Sequence, residues 1–243
     1  MSEHESDCDK AVFVKAAQDA FVNMFWLACG KRALRDLDAS TAFTWQVHQV
    51  ASSLFDQLSG IDERRWHKLC HGGLPFIVVD GENVLNATNK AGTPFWRTVN
   101  RRDGVVNRRA TMSDMLQKMK PFAKSDSALV IVDKRWPDFE YGFEYDARVT
   151  SKSIPCICPF SRNQIDDALV FSIVHALKKV CPRNEHVYVA SHDYFSWTAP
   201  LAKHWYPHAF LYPVQNVKEG FVISKESMEH AYRRGGAHRR ADV

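Results

Sequence analysis

Residues 76–84 read FIVVDGENV. Four consecutive apolar residues, each aromatic or β-branched, stop at Asp80-Gly81, the composition of a strand buried on both faces and closed by a turn. The same pattern returns downstream. SALVIV at 127–132 ends in Asp133, HVYVA at 186–190 ends in Ser191-His192-Asp193, and a weaker run, HAFLY, fills 208–212. Helical patterns separate these runs: 111–122, with Ser113 as a cap, and 165–180, where Ile165, Leu169, Ser172/Ile173 and Ala176/Leu177 share a face. Strands alternating with helices predict an α/β domain around a mostly parallel central sheet. Ligands of such sheets bind outside the carboxyl ends of the strands, and here acids stand at those ends.

Upstream of this domain the texture is helical. Within 11–37, Val14, Ala17, Phe21, Met24 and Phe25 recur at three- and four-residue steps along one face. Gly30 interrupts them, so the segment is one kinked helix or two. Ser40-Thr41 fits an N-cap for a helix running to about residue 58, and 62–70 makes a shorter one closed by His71-Gly72-Gly73. These amphipathic segments pack either on the main domain or on a partner, including a second copy of the chain; the sequence does not choose. The expected organisation is an N-terminal helical extension over 1–73, the α/β domain over 74–225 and a basic tail over 226–243.

Composition bounds the function. The chain has 243 residues, 45% hydrophobic and 25% charged, with only 11 Gly and 10 Pro, which excludes collagenous and wholly disordered classes. A membrane-spanning helix needs about 20 apolar residues, far more than the run at 24–29 offers. The acidic opening MSEHESDCD lacks the basic start and apolar core of a secretory signal, so cytosol or nucleus is the expected location and no membrane the expected partner. Six cysteines are too few for a disulfide scaffold and are expected as thiols. Cys156 and Cys158 make the only close pair, and C-x-C without a second pair is a poor zinc signal, even with His175, Cys181 and His186 nearby.

Charge is uneven. Residues 1–73 carry 8 Lys/Arg against 10 Asp/Glu, and the remainder carries 24 against 18. Arg97, Arg101, Arg102, Arg108 and Arg109 fall within thirteen residues opposed only by Asp103, and the tail adds Arg233, Arg234, Arg239 and Arg240. Such clusters attract phosphate backbones by releasing condensed counterions; the plainer reading is a solvated loop and tail.

Three acidic pieces carry the chemistry: Asp80-Gly81-Glu82-Asn83 after the first strand, Asp166-Asp167 opening a helix, and Asp193 after a later strand. A parallel sheet brings all three to one edge. Gathered carboxylates repel one another unless a hard divalent cation sits among them, and Mg²⁺ and Mn²⁺ favour such oxygen ligands. Singly, each piece has an ordinary explanation: Asp-Gly as a turn, Asp166 or Asp167 as a helix cap, Asp193 as the orienter of its own loop. Glu82 is either an outer ligand or a solvated acid, and Asp133 and His192 are rim or loop residues. No G-x-S-x-G, H-E-x-x-H or G-x-x-x-x-G-K-[ST] occurs, which removes the common hydrolase, zincin and P-loop readings.

FIVVDGENV (76–84), SRNQIDDALVFSIVHAL (161–177) and VYVASHDYFSW (187–197) together resemble the successive motifs of NYN-type PIN-like ribonucleases, most of all the regnase (MCPIP-type) endoribonucleases. The resemblance covers roughly residues 74–225, with gaps through the middle. It implies a PIN-like (NYN) fold of three layers, α/β/α, that binds one or two Mg²⁺ or Mn²⁺ ions in an acidic pocket and cuts single-stranded RNA. Carried over, Asp80, Asp166, Asp167 and Asp193 are the acidic, metal-holding set, and Asn83 holds the phosphate or the pocket geometry. Arg97, Arg101, Arg102, Arg108 and Arg109 would then overhang the pocket and bind RNA, with Phe95 and Trp96 either stacking bases or filling the core.

The sequence departs from the regnase pattern in three ways. Trp197 stands where a further Asp is expected, His192 replaces the Asn before the last motif Asp, and no Cys follows Cys181, so the accompanying CCCH finger is absent from this sequence. The missing carboxylate keeps a second class open, a catalytically inactive PIN-like RNA-binding or scaffold protein. A phosphatase using the same acids is a more remote third.

Overall fold

A computed structural model of the chain describes residues 3–29, 37–60, 63–81, 83, 118–119, 121–122, 127–133, 152–157, 165–191, 209–216 and 220–226. In chain order the elements are α1 (Glu3–Cys29), α2 (Leu37–Ser59), α3 (Glu63–Cys70), β1 (Phe76–Asp80), β2 (Ala128–Asp133), β3 (Lys152–Ile157), α4 (Ile165–Val180), β4 (Val187–Ala190), β5 (Ala209–Asn216) and β6 (Gly220–Glu226).

The six strands form one sheet in the order β3-β2-β1-β4-β5-β6. Every neighbouring pair is parallel except β5 with β6. The fold is therefore mixed α/β with a mostly parallel sheet. Chain order reverses direction at β1: β2 and β3 build outward on one side, and β4 and β5 on the other. All five residues of β1 are buried, as its uninterrupted apolar run requires of a central parallel strand.

Two strands were not anticipated. β3 contains Pro155, which reads as a strand breaker, but among the described residues β3 is the edge of the sheet and pairs only with β2, so the missing amide costs no interior ladder bond there. β5 extends to Asn216 and returns as β6 in an antiparallel pair. Its Pro213 lies beyond Leu211, the last β5 residue paired with β4, where among the described residues β5 has β6 as its one neighbour. The expected helix over 111–122 falls mostly outside the described residues.

The 11–37 segment resolves into α1, which ends at Cys29 immediately before Gly30, and the first residue of α2. α2 starts three residues before the expected Ser40-Thr41 cap, with Asp38 in its first turn, where the helix dipole favours an acid. α3 closes as expected through Gly72, whose φ of 88° is the left-handed conformation that a helix C-terminus commonly takes. A Cβ there would also stand 3.0 Å from the Arg183 carbonyl oxygen.

A single core joins helices and sheet. One face of β1, β2 and β4 presents Phe76, Val78, Ala128, Val130, Val132, Val187 and Val189 to α4. Residues 168–174 of α4 are all buried, so this helix is covered on its outer side as well. The cover is α1, whose Phe13, Ala17, Ala20, Phe21 and Met24 are each 1% exposed or less. The small residues Ala17 and Ala20 let the two helices approach closely. An aromatic chain then runs Phe13–Phe55–Trp66–Phe76, with ring centroids 5.5, 5.7 and 6.4 Å apart, linking α1, α2, α3 and β1. Polar ties reinforce it: Lys10 Nζ to both Asp56 carboxylate oxygens at 2.7 Å, and Arg65 to the Ser127 carbonyl at 2.8 Å. The open choice between packing on the domain and packing on a partner is thus decided for α1, whose stripe residues Val14, Ala17, Phe21 and Met24 are buried in the common core. Among the described residues no helix is long and apolar enough to cross a membrane.

Candidate active site at the carboxyl edge of the sheet

Alternation along β1 fixes where Asp80 points. Phe76 and Val78 face α4, so Asp80 ends the strand on that same face, in register with Val132 of β2. It is 2% exposed. Both carboxylate oxygens are held: Oδ1 accepts the backbone amide of Asn83 at 3.3 Å, and Oδ2 accepts the Ser191 hydroxyl at 2.9 Å. The first contact is the i to i+3 geometry of a helix N-cap, and the backbone at Gly81 and Asn83 is indeed helical. These bonds fix the orientation of the Asp80 carboxylate at the end of the strand.

Ser191 reaches Asp80 because it stands one step past Ala190, whose register partner is Val79. Its own amide continues the ladder to β5 by donating to the Leu211 carbonyl at 3.1 Å. β1 and β4 are the strands between which the chain order reverses, and the crevice at such a point is where open α/β sheets bind ligands. Doubly wound nucleotide-binding sheets share this strand order, but their first turn carries glycines that admit a pyrophosphate. Here the turn reads Asp80-Gly81-Glu82-Asn83 and buries a carboxylate instead.

The third contribution comes from α4. β3 runs parallel to β2, so it ends at the carboxyl edge, and α4 starts from there before crossing back to β4. Asp166 and Asp167 fall in the first turn of α4 and therefore at the same edge, where the helix dipole stabilises negative charge. Lys178 and Lys179 occupy the opposite end, where the dipole favours cations. The Asp167 side chain is 8% exposed, buried like that of Asp80.

The sequence-derived acids thus divide. Asp80 and Asp167 are described and buried at one edge. Asp166 is placed by its backbone in the same helical turn, and its side chain lies outside the described residues. Asp193 lies outside them, as do Glu82, His192, Trp197 and the arginines Arg97, Arg101, Arg102, Arg108 and Arg109. Asn83 is at the site, but it is the backbone amide that makes the contact with Asp80. Asp133 is the last residue of β2, the strand beside β1. Among the described residues no group of three or more His, Cys, Asp or Glu is arranged to hold a metal ion. Ser191 was given no role from sequence, although a small hydroxyl directly after an apolar strand, in register with an acid, was the available signal. No family model, curated protein or solved structure matches the chain.

Proposed function

We propose that this chain is a metal-dependent endoribonuclease that cleaves single-stranded RNA through the carboxylates at the carboxyl edge of its sheet. The observation that carries the reading is the burial of Asp80 and Asp167 at that one edge, beside the β1/β4 reversal, with Asp166 in the same turn as Asp167. Hard oxygen donors in this number suit Mg²⁺ or Mn²⁺, and Asp80, Asp166, Asp167 and Asp193 are the residues that would hold it. The chemistry such an ion supplies when bound is a water activated for in-line attack and neutralisation of the phosphoryl oxygens. The protein's own part is positional. Ser191 and the Asn83 amide fix the Asp80 carboxylate, and the first turn of α4 fixes Asp167. Arg97, Arg101, Arg102, Arg108 and Arg109 would bind the RNA backbone by charge. The products would carry 5′-phosphate and 3′-hydroxyl ends.

Incubation of end-labelled single-stranded RNA with the full chain in Mn²⁺ tests this. Cleavage is expected from the wild type, and none with EDTA or from an Asp167→Asn variant that still melts cooperatively. Cleavage surviving both changes overturns the mechanism. Trp197, standing where the resembled family has an acid, favours one alternative, a PIN-like protein that binds RNA or scaffolds without cutting it. Tight RNA binding with no turnover in Mn²⁺ would support that second reading.

A further inference from the structure

Cys70 is the last residue of α3, and Cys181 follows directly on α4. The two lie 111 residues apart in sequence, yet the Cys181 thiol donates to Cys70 Sγ at 2.7 Å. A disulfide is about 2.05 Å long, so closing the bond requires a movement of well under an ångström. The backbones on either side are already locked together. Asn184 donates from Nδ2 to the carbonyls of Leu69 and Leu74, and Gly72 packs against the Arg183 carbonyl. Cys70 is half-buried, and Cys181 is fully buried.

We propose that Cys70 and Cys181 are a disulfide-forming pair that staples the α3–β1 corner to the end of α4 under oxidising conditions. The more exposed Cys70 is the entry point: its thiolate attacks a small disulfide such as oxidised glutathione, forming a mixed disulfide and releasing one glutathione thiol. The Cys181 sulfur, after losing its proton, attacks Cys70 Sγ and expels the second. Two electrons and two protons leave the cysteines, and one glutathione disulfide becomes two thiols. In the reduced pair the bond to Cys70, and then burial, hold the Cys181 thiol well above the ordinary range, so the buried sulfur is not the one that attacks first. The link would join the segments leading into β1 and β4 at the sheet edge opposite Asp80 and Ser191, so it is independent of the nuclease reading. Because it would close a loop of more than a hundred residues, it constrains the unfolded chain strongly.

The test uses the full chain, equilibrated with oxidised glutathione or with dithiothreitol, quenched in acid, alkylated in denaturant and digested with trypsin without reduction. Peptide 69–90 joined to peptide 180–183, two hydrogen masses below their sum, is expected only in the oxidised sample. The oxidised protein should melt roughly 5–15 °C higher. Cys70→Ser should abolish both the linked peptide and the rise in Tm, and Cys181→Ser replaces it should that variant fail to fold. Recovery of both peptides singly, or of a lasting glutathione adduct on Cys70 with Cys181 alkylated, from protein that remained folded, overturns the proposal.

Discussion

The side-chain amide of Asn184 is 1% exposed and fully engaged. Nδ2 donates to the carbonyls of Leu69 and of Leu74, the latter at 3.0 Å, and Oδ1 accepts the His186 amide at 2.7 Å. One residue thereby holds the α3–β1 connection to the α4–β4 connection, the two segments that set the entry of the site-bearing strands. Asn184→Asp preserves shape but puts a carboxylate oxygen against two carbonyls that have lost their donor. It should cost about 3 kcal/mol, since unsatisfied buried groups cost more than a net hydrogen bond contributes. Tm should fall by roughly 6–12 °C, and Asn184→Ala should be no worse than Asp. Melting of the Asp variant within about 2 °C of wild type would contradict this account. Asn184 was not legible in the sequence, where CPRNEH reads as a polar turn: its partners lie 115 and 110 residues away. Asp80 was legible, because a carboxylate ending an apolar run announces both a strand end and an edge. The contrast is one of range: local patterning placed the acid, and only tertiary contact placed the clamp.

At the scale of elements, the central strands and α4 could be read because each owes its form to apolar periodicity. β3 and β6 could not, because edge and hairpin strands are defined by the neighbour they pair with, and Pro155 argued locally against the first. The same difference shows in α4, whose sequence period identifies one buried face although the helix is covered on two. His175 lies toward its C-terminal end, and its pKa is lowered from 6.5 to about 4, first by burial, then by Lys179 and Lys178, with Asp19 of α1 acting in the opposite direction. The folded state therefore prefers the neutral imidazole. Its contribution to stability is complete above the unfolded value of 6.5 and is lost as pH falls toward about 4, because the unfolded chain takes up the proton first. His175→Gln cannot titrate. Urea midpoints measured across this window should decline with a shallower slope in the variant than in wild type; parallel slopes would remove His175 as a cause.

On the scale of the whole molecule, the issue is whether the N-terminal helices are an appendage to the α/β domain or part of its core. An appendage would leave the sheet and α4 buried without it. Here α4 has the sheet on one side and α1 on the other, and Phe13, Phe21 and Met24 of α1 belong to the same buried cluster as Phe76, Val130 and Phe171. Removing α1 would expose the outer face of α4 along with the Phe13 end of the aromatic chain. Phe21→Ala alone should cost about 3–5 kcal/mol, the range for truncating a buried aromatic ring. Deletion of residues 1–36 should therefore remove cooperative melting altogether and yield a chain that binds a hydrophobic dye or precipitates. In the intact protein, the slowest-exchanging amides of α1 and β1 should share one opening free energy, since neither element keeps its burial without the other. A deleted chain that melts cooperatively near the full-length Tm, or β1 amides that stay protected after those of α1 exchange, would make the helices accessory. The outcome bears on the acidic edge as well: α4 positions Asp167 from one side of the core that α1 closes from the other, so losing α1 should abolish any activity of the site without touching a carboxylate.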